Sequence, residues 1–214
     1  MKRLYFSLLI LLSGHAAAEQ ALPEHIAPIA HRWAHIYYQV PDKDKASAYQ
    51  QLLTDADQVV KSHPGKAEPL VWEAIVLASY AKAEGGLGAL GKAKQARDLL
   101  FAARKIDPDT LNGSIYTSLG SLYAKVPGWP IGFGDKKEAR LNLEKALQLN
   151  PKGMDSNYFY ADFLASQGEY AKAAEYAQKA VAAPERAGRE DADKGRRKEA
   201  EQLLIEIKRR SATG

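Results

Sequence analysis

The sequence predicts an all-α fold, a short solenoid of stacked helical hairpins, and three observations predict it. Two alanines seven residues apart, with a proline shortly after, occur three times: Ala96/Ala103/Pro108, Ala139/Ala146/Pro151 and Ala173/Ala180/Pro184. Ala139 and Ala173 are 34 residues apart, a period at which one helical hairpin repeats. Apolar spacing is helical between the prolines, and no stretch alternates with period two. A hairpin of that length cannot bury its apolar face alone and stacks on its neighbours.

The first eighteen residues read as an address. Lys2 and Arg3 make a basic start, Leu4 to Leu12 is an apolar run broken only by Ser7, and Ala16-Ala17-Ala18 supplies small residues for cleavage. The run is too short for a spanning helix, which needs about 20 apolar residues. Cleavage is expected after Ala18, placing residues 19–214 in the periplasm.

Residues 19–184 read as the repeat domain. A degenerate first hairpin is expected from His25 to His63, broken at Pro41-Asp42-Lys43-Asp44-Lys45, with Tyr49, Leu52, Leu53, Ala56, Val59 and Val60 on one helix face. The second hairpin carries Trp72 and Val76, then Ala96, Leu100 and Ala103. The third carries Tyr116, Leu119, Gly120 and Tyr123, then Ala139, Leu143 and Ala146. The fourth has Tyr160, Ala161 and Leu164, a stop at Gly168, then Tyr170, Ala173, Ala177 and Ala180. Small residues on facing helices let the two backbones approach. Residues 185–214 read as a charged linker, to Gly195, followed by a terminal helix. Ala200, Leu203, Leu204 and Ile207 form its apolar stripe, with Arg196, Arg197, Glu201 and Lys208 largely off it. Such a helix covers the last apolar face of a solenoid. The rival reading is a basic helix docking on a membrane or partner, a signal diluted by Asp193, Glu199, Glu201 and Glu206.

Two turns inside hairpins are stretched. From Gly120 to Ala139 is seven residues more than the equivalent step from Ala161 to Ala173, and the second hairpin is longer by about as much. The insertions are Gly85-Gly86-Leu87-Gly88-Ala89-Leu90-Gly91 and Pro127-Gly128-Trp129-Pro130-Ile131-Gly132-Phe133-Gly134-Asp135. Both are expected as loops, side by side on one edge of the stack. Asp135 with Glu138 resembles a capping pair for the next helix. Trp129, Pro130 and Phe133 are candidate contact residues; the alternative is that the two rings fold back and plug the hairpin.

Composition excludes several functions. The chain holds 30 basic and 26 acidic residues, hence +4, or +2 without Lys2 and Arg3, with the charges well mixed. Nothing resembles a nucleic-acid footprint. No cysteine is present, which excludes disulfides, thiolate metal sites and cysteine nucleophiles. His31 and His35 stand four apart on an expected helix but lack a glutamate between them, so half-buried packing is the better reading than metal binding. No nucleophile, base and oxyanion donors assemble, so neither enzyme nor cofactor is expected.

The alanine, glycine and proline pattern of residues 110–184, and more weakly of 68–108, resembles the tetratricopeptide repeat. The resemblance implies a right-handed solenoid that binds protein or peptide in a groove lined by the first helix of each hairpin. It makes Tyr116, Tyr123, Asn157 and Tyr158 candidate groove residues, with ordinary inter-hairpin packing as the alternative for each. The stretched turns and the aromatic run Asn157-Tyr158-Phe159-Tyr160-Ala161-Asp162-Phe163-Leu164 also look somewhat like the T-components of TRAP transporter systems. Those are periplasmic repeat proteins that associate with a solute-binding protein and are typically lipid-anchored through a cysteine, which this chain lacks. The expected role is a periplasmic adaptor for another periplasmic or envelope protein, with a carrier of a small apolar ligand or an envelope-assembly scaffold as alternatives.

Overall fold

Helices α1 (Ala27–Gln39) and α2 (Asp42–Ser62) form the first hairpin, and α3 (Ala67–Glu84) and α4 (Gly86–Ile106) the second. The third is α5 (Thr110–Lys125) with α6 (Lys136–Leu149), and the fourth α7 (Met154–Ser166) with α8 (Tyr170–Val181); α9 (Glu190–Ser211) follows alone. This is a computed structural model describing residues 22–212; the expected leader lies outside the described residues. No strand occurs among the described residues, and the all-α hairpin stack stands. No helix among them is long and apolar enough to cross a membrane.

Local chemistry explains the helix ends. Pro28 sits at the start of α1, where its missing N–H costs nothing. Pro41 marks the break between α1 and α2, and Gly168 turns the chain between α7 and α8 at φ +78°. Asp135 caps α6, its Oδ1 accepting from the backbone N–H groups of Lys137 (2.7 Å) and Glu138 (3.1 Å).

The repeated alanines are the contact points between helices. Ala96, Ala103, Ala139, Ala146, Ala173 and Ala180 are all fully buried. Gly120 shows why they must be small: a Cβ there would stand 2.5 Å from Leu143 Cγ, so α5 and α6 meet at bare backbone. Larger side chains fill the layers on either side. Trp33, Tyr49, Leu52 and Trp72 form the first, Val71, Leu100, Ile115 and Leu119 the second. Leu143, Phe163, Leu164, Leu203 and Ile207 form the third. Burying one such leucine stabilises by about 1.5–3 kcal/mol before the entropy of ordering it.

Two expectations need correction. Gly85–Gly91 is not a loop: the chain turns at Gly85, φ +65°, and α4 starts at Gly86 and runs through the rest of the insertion. The 127–135 stretch does remain a loop and lies beside it, since a Cβ on Gly132 would meet Leu90 Cδ1 at 3.3 Å. The charged linker expected to reach Gly195 ends earlier: residues 184–189 connect α8 to α9 and are mostly exposed, but the rest is helix and the stretch is pinned by buried side chains. Helix α9 begins at Glu190, and Arg186, Asp193 and Arg196 are buried. The alanine and leucine stripe of α9 does cover the last hairpin, with Ala200, Leu203 and Ile207 buried in the third core layer or beside it.

Helix α9 also reaches back to the beginning. It contacts α7, α8 and α1, so α1, α3, α5, α7 and α9 touch in sequence and the last touches the first. The solenoid closes into a ring with the odd-numbered helices inside.

Candidate binding cavity

The ring encloses a cavity of about 650 Å³, within the 300–1,000 Å³ range of ligand sites. Its walls come from all five inner helices and the segments before α1, α5 and α9, and from the outer helices only at Leu100. One wall is aromatic. Trp33 and Trp72 meet edge to face at 6.1 Å and Tyr37 stacks on Trp33 at 5.0 Å, while Phe159 and Tyr158 line the space from α7. The α5 wall is a row of hydroxyls, with Ser114, Thr117, Ser118 and Ser121 all lining the space. Ser114, Ser118, Ser121 and Lys125 fall at i, i+4, i+7 and i+11, one helical face. Just before them Leu111, Asn112 and Gly113 adopt left-handed backbone, φ +50°, +49° and +85°. This costs of order 1–3 kcal/mol for each non-glycine residue. The turn presents Leu111 and Asn112 to the cavity.

A buried charge cluster closes the ring. Asp193 is wholly buried and accepts from the Arg186 side chain at Nε (2.8 Å) and from the Arg186 backbone N–H (2.7 Å). Arg186 also donates to Asp155 Oδ2 at 2.8 Å, and Arg196 Nε to Asp155 Oδ1 at 2.8 Å. Arg196 continues to Glu199 at 2.6 Å, and Glu199 accepts from the hydroxyls of Tyr37 and Tyr38 on α1, each at 3.2 Å. The Arg196 guanidinium stands 4.6 Å from the ring centres of both Tyr158 and Phe159. Gly195 makes the approach of α9 to α1 feasible, because a Cβ there would sit 2.5 Å from Tyr38 ring carbons. Arg197 secures the other side by donating to the carbonyls of Val181 and Ala183 at the end of α8.

Burial alone would raise the Asp155 carboxyl, but Arg186, Arg196 and Arg189 outweigh it and hold it well below the usual carboxylate range. Burial pushes the Tyr38 and Tyr158 hydroxyls far above the usual tyrosine value. At neutral pH the Asp155 carboxylate is thus charged and the Tyr38 and Tyr158 phenols are neutral.

The candidate site residues separate. Tyr158 lines the cavity. Tyr116 packs against the second core layer, and Tyr123 meets Phe133 edge to face at 5.6 Å, outside the cavity. Asn157 is a correction to the groove expectation: it is fully buried, its amide donating to the carbonyls of Pro151 (3.0 Å) and Gly153 (2.8 Å). Its work is to tie α7 to the preceding turn. The 127–135 loop divides between the two readings of it. Phe133 folds in under the Arg97 guanidinium at 4.6 Å, whereas Trp129 is 90% exposed and Pro130 is exposed with it. His31 and His35 are exposed, His35 meets Gln39 at 3.2 Å, and His25 stacks on His63 at 4.1 Å. Trp33, Tyr37, Arg186, Arg189 and Arg196 are not legible in the sequence as cavity residues, because ring closure brings them together from distant parts of the chain. The hydroxyl spacing on α5 is the one signal in the sequence that could have pointed inward.

Fold and site together define a class: a stack of helical hairpins closed on itself around an inner cavity. No protein-family model matches the chain, and no curated protein matches it. Among solved structures it is similar to a thermophilic TPR protein of Thermus thermophilus, at 18% identity over 81% of this chain and 98% of that one, with a TM-score of 0.42. That similarity is a likeness of helical layout alone.

Proposed function

We propose that this protein is a non-enzymatic binding scaffold whose inner cavity holds an extended segment of a partner protein. The observation that carries the reading is the ring itself, to which every hairpin contributes an inner helix and whose cavity is walled by aromatic rings and hydroxyls. Such walls suit a peptide, whose side chains meet the rings while its amides meet the hydroxyls. The exposed Trp129-Pro130-Ile131 tip is a second contact outside the ring. The leader pattern of residues 1–18 supports a place in the periplasm, with an envelope protein as partner. A role beside a solute transporter rests on the sequence resemblance alone.

The test is a capture from periplasmic extract by residues 19–214, compared with Ser118→Trp, which fills the cavity, and Trp129→Ala. A partner retained by the first and lost by Ser118→Trp supports the reading; equal retention by both overturns it. N-terminal sequencing of the exported protein checks the address, with Glu19 as the expected first residue.

A second reading, a carrier of a small apolar ligand, is favoured by Trp33, Trp72, Ile75 and Phe159 in the lining. Native mass spectrometry of protein isolated without detergent would then show a bound small molecule.

A further inference from the structure

The cavity is electrically uneven along its length. Helices α3, α5 and α7 each open a successive hairpin and pack side by side, so their N-terminal ends share one rim and their C-terminal ends the other. Glu68, Asp107 and Asp109 line the N-terminal rim. None of the three has an ion pair among the described residues, and only Asp107 accepts a hydrogen bond, from the Asp109 N–H at 3.1 Å. Carboxylates at helix starts often serve as caps, but α3 and α5 have no side-chain cap bond. The cations at this rim are otherwise engaged: Arg186 binds Asp155 and Asp193, and Arg189 lies over the Trp72 ring at 5.4 Å.

The C-terminal rim has the opposite sign. Lys125 is paired with Asp162 at 2.6 Å, while Lys82 donates to the Tyr37 hydroxyl at 3.1 Å and stands over its ring. That hydroxyl donates in turn to Glu199, whose carboxylate is itself paired with Arg196. Between the rims lie the hydroxyl row and the aromatic wall. Within that wall the Trp72 indole N–H is buried without an acceptor, the kind of orphan donor that costs about 1–3 kcal/mol. From Glu68 to Lys82 is fourteen residues of α3, about 21 Å at 1.5 Å per residue. An extended peptide of about six residues spans the same distance.

We propose that the cavity takes a short extended peptide of fixed polarity, its cationic end at Glu68, Asp107 and Asp109 and its carboxylate end toward Lys82. This deepens the reading of the cavity as a peptide site and rests on it. Amine and carboxylates meet in a space partly closed to water, where charge pairing is stronger than on an open surface. The reversed peptide places like charges together at both rims.

The test uses residues 19–214, two hexapeptides and one neutral reporter. The first peptide is Lys-Ala-Phe-Ala-Ser-Ala with free ends; the second is its N-acetylated analogue with glutamate for lysine. The reporter is N-phenyl-1-naphthylamine, whose fluorescence rises in an apolar cavity. The first peptide is expected to displace the reporter at least about tenfold more tightly than the second. Glu68→Gln combined with Asp109→Asn is expected to remove that preference while reporter binding stays unchanged. Both side chains reach solvent, and reporter binding certifies the fold. Equal affinity for the two peptides, or a preference untouched by the double variant, overturns the inference while the cavity remains a binding site. If the reporter binds and neither peptide displaces it, the inference fails and the small-ligand reading gains. If nothing binds, cavity and inference fall together.

Discussion

The tip of the apolar 127–135 loop and three charged residues of the segment from 186 to 196 exchange the places that composition assigns them. Trp129 and Ile131, at the tip of the 127–135 loop, are 90% and 69% exposed. Arg186, Asp193 and Arg196, in a stretch dense with charge, are buried at 7%, 0% and 5%. The difference teaches that pairing geometry decides burial as much as hydropathy does. Asp193 accepts three hydrogen bonds from Arg186, and Asp155 binds two guanidinium groups at once, so burying the set leaves few polar atoms unsatisfied. Two prolines hold the loop away from helix geometry, and at its base Gly134 packs closely on Val126.

The comparison breaks hardest at the charges. Arg186→Met strands Asp193 without its cation in a fully buried position and is expected to cost about 3–5 kcal/mol, read as a shift of the urea midpoint. Gly134→Ala comes next. A Cβ there would lie 1.9 Å from the Val126 carbonyl oxygen, a backbone atom with little room to yield, so the loop must rebuild at about 1–3 kcal/mol. Alkaline pH should loosen the closure. The Tyr38 and Tyr158 hydroxyls are raised by burial, so an unfolded chain ionises them first, near pH 10. Stability is therefore full below about pH 10 and declines above it, by up to about 1.4 kcal/mol per pH unit for each tyrosine. Melting curves from pH 8 to 11 should show this, with a flatter decline in Tyr38→Phe. Gly91→Ala should instead stabilise by up to about 1 kcal/mol, since the residue is helical and nothing lies within 4 Å of its added Cβ. Trp129→Ala is expected to shift stability by less than about 0.5 kcal/mol, because an exposed tip holds nothing in place. A loss above about 2 kcal/mol there would mean that the ring is a plug after all.

The two stretched turns show how far local reading reaches. Both are legible as interruptions, and only one is a loop. Gly85–Gly91 lacks proline, and each glycine costs a helix only about 1 kcal/mol, a penalty that packing of Ala93 and Ala96 into the second core layer overrides. Pro127 and Pro130 remove backbone donors, and Asp135 supplies a cap, so the second stretch stays open. Of the groove candidates, Tyr158 reaches the cavity while Asn157 turns into the 151–153 turn. Both lie on one aromatic helix, and their neighbours across the stack decide which way each faces.

What the sequence by itself determined was the hairpin: its period, its small contact residues, the cap at Asp135 and the covering stripe of α9. These depend on residues close in the chain, whose spacing on a helix is set by backbone geometry. Closure of the ring, the buried charges that hold it and the polarity of the cavity were decided only by tertiary structure. Glu199 meets Tyr37 across 162 residues. Such a contact depends on the accumulated angle of four hairpins, which no local pattern records.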